Sequence, residues 1–228
     1  VLPYSLLKFK DKPLQGGKMS AKRLLIAALV AVTMLATSAL AQKNELTGII
    51  GRTFISDQGV PNAGLTNNNI HFGNGTTFEV NYGRHFMGSG FTQLTFEVPA
   101  VFNLDQDIQF AANSVPESFR SYFVAPSLRA NVFANTAVSP WVSLGGGFGH
   151  FSPSSQLVFG GPSKAGSSNT GVLQAGFGLD VRVWRNFSVR GQVRDFWSGT
   201  PNLNVDTGKS RQHNYFVGGG VIWHFGKS

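Results

Sequence analysis

Several residue groups in this chain are of types that could do chemistry. His150-Phe151-Ser152 places a base two residues from a hydroxyl, so an extended strand would put both on one face. Ester hydrolysis there would also require a third group to orient the base. Glu79 and Glu97 are candidates for a carboxylate pair in acid/base catalysis. The five histidines, His71, His85, His150, His213 and His224, show no ligand spacing and no adjacent carboxylates, so the sequence supports no metal site. Gly145-Gly146-Gly147 and Gly218-Gly219-Gly220 fall within strand-like segments. A phosphate cradle needs a following helix N-terminus, so close strand packing is the better reading of both. None of these groups comes with the partners its chemistry needs, and no cofactor is implied.

Composition narrows the field further. The 228 residues include 28 Gly, 20 Phe and no Cys, and only 13% are charged. Absence of Cys excludes thiol catalysis, disulfide frameworks and thiolate metal sites. The net charge of +8 would suggest nucleic acid. However, residues 1–41 carry six Lys or Arg against one Asp, leaving thirteen against ten for the remainder. The basic excess belongs to the leader, and nucleic acid is not expected as a partner.

That leader has a recognisable order. Met19-Ser20-Ala21-Lys22-Arg23 is a basic start, Leu24 to Leu35 is a short apolar run, and Ala39-Leu40-Ala41 is a small-residue cleavage site. The run is too short for a spanning helix, which needs about 20 apolar residues. Residues 19–41 therefore read as a secretory signal peptide, residues 1–18 as a mis-annotated upstream extension, and residues 42–228 as the exported domain.

The exported part must be built from strands. Period-two alternation, bounded by Gly, Asn, Ser and Pro, predicts eight of them near 45–56, 76–86, 91–103, 120–133, 141–151, 170–183, 187–197 and 213–225. Short turns alternate with long polar loops at 57–75, 104–119, 152–169 and 198–212. Four long loops on one rim and three short turns on the other is up-and-down barrel connectivity. The faces agree with a membrane barrel. Leu173, Ala175, Phe177, Leu179 and Val181 alternate with Gln174, Gly176, Gly178, Asp180 and Arg182. Phe187, Val189, Gly191 and Val193 alternate with Ser188, Arg190, Gln192 and Arg194. One Arg on the lipid face at the midplane costs about 2–4 kcal/mol, which favours the phase that hides these arginines. For the first strand, the same reasoning turns Thr47, Ile49, Gly51, Thr53 and Ile55 outward to keep Arg52 from lipid.

Aromatics support this picture. Phe86, Phe91, Trp141, Trp184, Phe187, Trp223 and Phe225 gather beside the short turns as an expected interfacial girdle. Phe54, Tyr122, Phe196, Trp197 and Tyr215 would serve the opposite rim. The last strand, Tyr215, Val217, Gly219, Val221, Trp223, Phe225, ends near an aromatic followed by Gly226-Lys227-Ser228. On signal peptide, strand count, loop alternation and terminal aromatic, residues 42–228 resemble the OmpA/OmpX-like family of eight-stranded outer-membrane β-barrels.

The resemblance implies an all-β, antiparallel, up-and-down transmembrane barrel in a bacterial outer membrane. It implies contact with outer-membrane lipid and lipopolysaccharide, recognition of the C-terminal strand by the barrel-assembly machinery, and a monomeric state. An eight-stranded interior is filled by side chains. Glu79, Glu97, Arg129, Asp180, Arg182, Arg190 and Arg194 are the expected lumen charge network, with Gln174, Gln192 and His224. Asp180–Arg190 and Glu97–Arg129 are the expected ion pairs, and structural filling is favoured over ion gating. The function expected is structural or surface-interactive, without catalysis. A narrow channel for small or apolar solutes, as in OmpW-like barrels, is the alternative. Barrel lipid deacylases, which pair His-x-Ser with an acid, are less favoured: no carboxylate lies on that phase of the flanking strands. A soluble calycin-like binder would instead have an apolar interior and a polar exterior.

N-terminal peptide mass spectrometry of the exported protein is expected to begin at Gln42 and to detect no peptide upstream of Met19 in cells.

Overall fold

Alternating side chains along nearly every element decide which way each strand faces, and the strands close into a ring. The computed structural model describes residues 44–61, 68–73, 75–89 and 91–226. The expected extension and signal peptide, residues 1–18 and 19–41, lie outside the described residues. The elements are β1 (Asn44–Ile55), β2 (Gln58–Gly59), β3 (Asn69–Phe72), β4 (Gly75–Gly88), β5 (Thr92–Gln109), β6 (Ser118–Val124), β7 (Ser127–Val132), β8 (Val138–Pro153), β9 (Ser168–Arg182), β10 (Phe187–Gly199) and β11 (Arg211–Phe225). Neighbours pair antiparallel in the order β5-β4-β1-β11-β10-β9-β8, and β6 with β7 bridges β8 back to β5.

The expected fourth strand is therefore interrupted. β6 and β7 nevertheless hold one register against β5, with Ala100 opposite Val124 and Glu97 opposite Ser127. Pro126, which has no N–H to give the ladder, lies in the gap between them. Counted as one strand, they make a wall of eight.

Long loops and short turns sort to opposite rims as expected. The second loop is shorter than its composition indicates, because β5 continues to Gln109. Its extension pairs with β3, His71 opposite Gln109 and Phe72 opposite Ile108, so part of the first loop prolongs the wall.

Most faces match the alternation, and one is reversed. In β9 and β10, Leu173, Phe177, Leu179 and Val189 are exposed outside, while Gln174, Asp180, Arg190, Gln192 and Arg194 are buried within. In β1, by contrast, Thr47, Ile49, Thr53 and Ile55 point inward, and Leu46, Ile50, Arg52 and Phe54 point out. Depth explains the reversal. Arg52 lies near the long-loop end, paired with Thr76 and Val217, where an outward Arg costs only about 0–1 kcal/mol. The inward phase of β1 carries Glu45 to two buried arginines, and stripping a buried ion of its partner costs about 3–5 kcal/mol. The greater penalty sets the phase.

Closure also demands close strand approach at Gly220. A Cβ there would collide with the carbonyl oxygen of Gly48 and come 2.7 Å from the Ile49 Cα, both backbone atoms that cannot rotate away. Gly219 has room, with the Arg190 carbonyl oxygen 3.6 Å from its Cβ position. Gly220→Ala is expected to destabilise the barrel by about 1–3 kcal/mol, read as a lower urea midpoint in detergent, with Gly219→Ala near wild type.

Candidate functional site

The interior has two layers of different chemistry. Near the long-loop end, the inward residues are Phe119 and Phe123 of β6, Phe151 of β8, Phe196 of β10 and Phe216 of β11, all at most 1% exposed. Phe123 stacks on Phe196 at 5.1 Å between centroids and meets Phe151 edge-on at 5.7 Å. Val60, Ile70, Ile108, Phe110, Val115 and Leu203, largely from the loops, join the same apolar cluster. This half of the lumen is an ordinary hydrophobic core, which the polar-lumen expectation missed. Phe196 accordingly faces inward rather than serving the long-loop rim.

Below it lies an ionic layer. Asp180 accepts two hydrogen bonds from Arg190, Nε at 2.7 Å and Nη2 at 2.8 Å, a bidentate pair between directly opposed residues of β9 and β10. Glu97 accepts from Arg194 Nη1 at 2.8 Å, Arg129 Nη1 at 3.2 Å and Asn81 Nδ2 at 2.9 Å. Glu79 takes Gln192 Nε2 at 2.5 Å and faces Arg194 Nε at 3.4 Å. Both ion pairs read from the sequence, Asp180–Arg190 and Glu97–Arg129, are formed. Glu79 and Glu97 share Arg194 between them, so they belong to a charge cluster and form no isolated acid/base dyad.

Two members of this layer escaped the sequence reading. Glu45, 1% exposed, sits 2.6 Å from Arg129 Nη1 and 3.6 Å from Arg190 Nη2. The reversed phase of β1 hid it. Trp141, expected in the girdle, is 2% exposed and lies inside the barrel. Its Nε1 donates to Asp180 Oδ1 at 3.0 Å, and the guanidiniums of Arg190, Arg194 and Arg129 lie 4.9, 5.1 and 5.8 Å from its ring centroid. An indole offers a donor for the carboxylate and a negative face for the cations, which suits this layer better than the rim. Its partner positions were legible only once the inward phase of β8 was known.

Arg182 departs from the expected network. It shares the inward phase of Asp180 but is exposed, two residues nearer the turn, at the short-turn mouth. Of the other aromatics near the short turns, Phe86, Phe91, Trp184, Phe187 and Trp223 are exposed, and Phe225 packs on Trp223 at 4.9 Å.

His150 and Ser152 face outward near the long-loop rim, while Phe151 between them points into the apolar layer. His150 Nδ1 lies 2.6 Å from Asn169 Oδ1, and the ring stacks on Tyr122 at 6.2 Å. Among the described residues no hydrogen bond joins His150 to Ser152, so the base–nucleophile contact that hydrolysis requires is not made.

No family model and no curated protein sequence matches this chain. Solved structures share its architecture, among them two outer-membrane proteins. Neisserial surface protein A is 14% identical, with 80% of this chain and 97% of that chain covered at a TM-score of 0.51. The outer membrane protein OprG from Pseudomonas aeruginosa is 11% identical, with coverages of 82% and 98% and a TM-score of 0.51. The fold is the eight-stranded outer-membrane β-barrel, as the OmpA/OmpX-like resemblance implies.

Removing Asp180 leaves the buried Arg190 and Trp141 indole without their closest partner. Asp180→Ala is expected to lose about 3–5 kcal/mol of unfolding free energy, measured by urea titration of the folded barrel. The outward Arg52→Ala should shift it by under about 1 kcal/mol.

Proposed function

We propose that this protein is an integral β-barrel of a bacterial outer membrane, non-enzymatic and monomeric, with its lumen closed to flow and its four long loops presented outside. The observation that carries the reading is the inverted distribution of polarity. Outside, Ile50, Val80, Val142, Leu144, Phe177 and Val221 are 51–70% exposed, whereas inside Arg129, Arg190 and Arg194 are at most 1% exposed. Such an exterior is stable only against an apolar solvent, and strands crossing that solvent need every backbone group paired, which a closed ring supplies. Among the described residues no helix is long and apolar enough to cross a membrane.

The filled interior supports a structural or surface-presenting role over conduction. Ions entering from the short-turn side would meet the Arg–carboxylate layer, and beyond it the packed phenylalanines. Outer-membrane lipid and lipopolysaccharide are the surroundings that the apolar band and its flanking aromatics fit. The C-terminal strand, ending at Trp223 and Phe225, is the segment through which the assembly machinery would engage the chain.

Carbonate extraction and gel migration test this directly. The protein is expected to stay with the membrane fraction and to migrate differently before and after boiling. Planar-bilayer recordings should show no open-channel steps. Recovery in the soluble fraction would defeat the membrane reading, and steady conductance would defeat the closed lumen.

A further inference from the structure

The short-turn mouth holds a cluster that a structural or surface-presenting role does not use. Glu45 is the second residue of β1, His85 lies near the end of β4 and His224 near the end of β11, three neighbouring strands. Glu45 is directly opposite His224 in one ladder and opposite Gly83, two residues before His85, in the other. One donor atom from each side chain lies within 4.8 Å of the other two. Modest side-chain rotation brings such donors to the ~3.4 Å spacing set by ~2.1 Å bonds in a tetrahedral site.

Each of the three is held from behind. Glu45 Oε1 is anchored by Arg129 at 2.6 Å, leaving Oε2, which lies 3.4 Å from His85 Nε2. His85 Nδ1 bonds Thr95 Oγ1 at 2.6 Å, and His224 Nε2 bonds Ser188 Oγ at 3.0 Å. A hydroxyl thus fixes each ring through one nitrogen, as outer hydrogen bonds do for metal-bound histidines, and the other nitrogen of His85, Nε2, faces the carboxylate of Glu45. Gly83 gives the carboxylate its space: a Cβ there would come 2.6 Å from Glu45 Cγ.

Charge supports a cation. The buried layer contains four carboxylates, Glu45, Glu79, Glu97 and Asp180, against three guanidiniums, Arg129, Arg190 and Arg194. Of these four acids, Glu45 is the one that lies beside two imidazoles. A cavity of about 680 Å³ at the mouth is lined by His85 and His224 together with Arg182, Arg185 and Asn186, and a smaller one of about 40 Å³ is lined by Glu45 and both histidines, with room for a further ligand such as water. Two imidazoles and one carboxylate suit zinc and its first-row neighbours rather than calcium or magnesium.

We propose that Glu45, His85 and His224 bind one divalent transition-metal ion of the zinc type at the short-turn mouth, with a coordination position open to the cavity. The sequence carried no sign of it, because the ligands lie 40 and 139 residues apart along the chain, from Glu45 to His85 and from His85 to His224, and meet only through strand pairing.

The test uses the full exported chain, without a polyhistidine tag, folded in detergent and titrated with Zn²⁺ against a chromophoric chelator. Co²⁺ absorption in the visible range serves as a second reading. One ion per chain is expected, with binding abolished in His85→Ala and in His224→Asn, and weakened about tenfold or more in Ser188→Ala. His150→Ala and His213→Ala, at the opposite end of the barrel, should bind as wild type does. Heat-dependent gel migration confirms that each variant is folded, and His224→Asn keeps a polar side chain of similar reach at the mouth. Absence of stoichiometric binding by the folded wild type would overturn the proposal. So would binding that persists in folded His224→Asn, or that disappears in His213→Ala.

Discussion

A charge inside this barrel has no solvent to fall back on. The wall is ringed by apolar side chains, the long-loop end is packed with phenylalanines, and the ionic layer is almost wholly inaccessible. Compensation must come from other side chains at hydrogen-bonding distance. Much of the observed arrangement follows from that need. It places Arg190 opposite Asp180, gathers Arg129 and Arg194 on Glu97, and turns Glu45 inward even though Arg52 then faces out. It also accounts for Trp141, whose indole N–H serves a carboxylate while its face receives three guanidiniums.

The two layers divide the work of filling a narrow lumen. Aromatic packing at the loop end shields the ionic layer from water on that side, and low local polarity strengthens each charge-assisted hydrogen bond beneath it. The ionic layer in turn ties β1 to β7, and β4 and β5 to β10, across the lumen, contacts that backbone pairing between neighbours cannot supply. Such a cross-braced interior leaves the loops and the short-turn mouth as the parts free to meet other molecules. At the mouth the cross-bracing ends, Arg182 and His224 reach a cavity, and polar groups regain access to water.

Strand number, the sorting of long loops from short turns, and the inward phase of β9 and β10 were legible in the amino-acid order. Alternation has a period of two, and a charged residue on the lipid side carries a penalty large enough to read. The same rule failed for β1 because the penalty depends on depth, and a linear pattern does not say how far Arg52 stands from the bilayer centre. It failed for Trp141 because an aromatic beside a short turn can lie on either face of the wall.

Local order thus determined the class of structure: eight antiparallel strands with greasy outer faces, and the two ion pairs formed by residues on neighbouring strands. Tertiary closure decided the rest. Glu45 reaches Arg190 across β11, Arg194 reaches Glu79 across β11 and β1, and His85 and His224 converge on Glu45, only because the first and last strands join. The physical reason is that pairing between adjacent segments is set by alternation and turn length, whereas contact across a lumen depends on the closure and register of the entire ring.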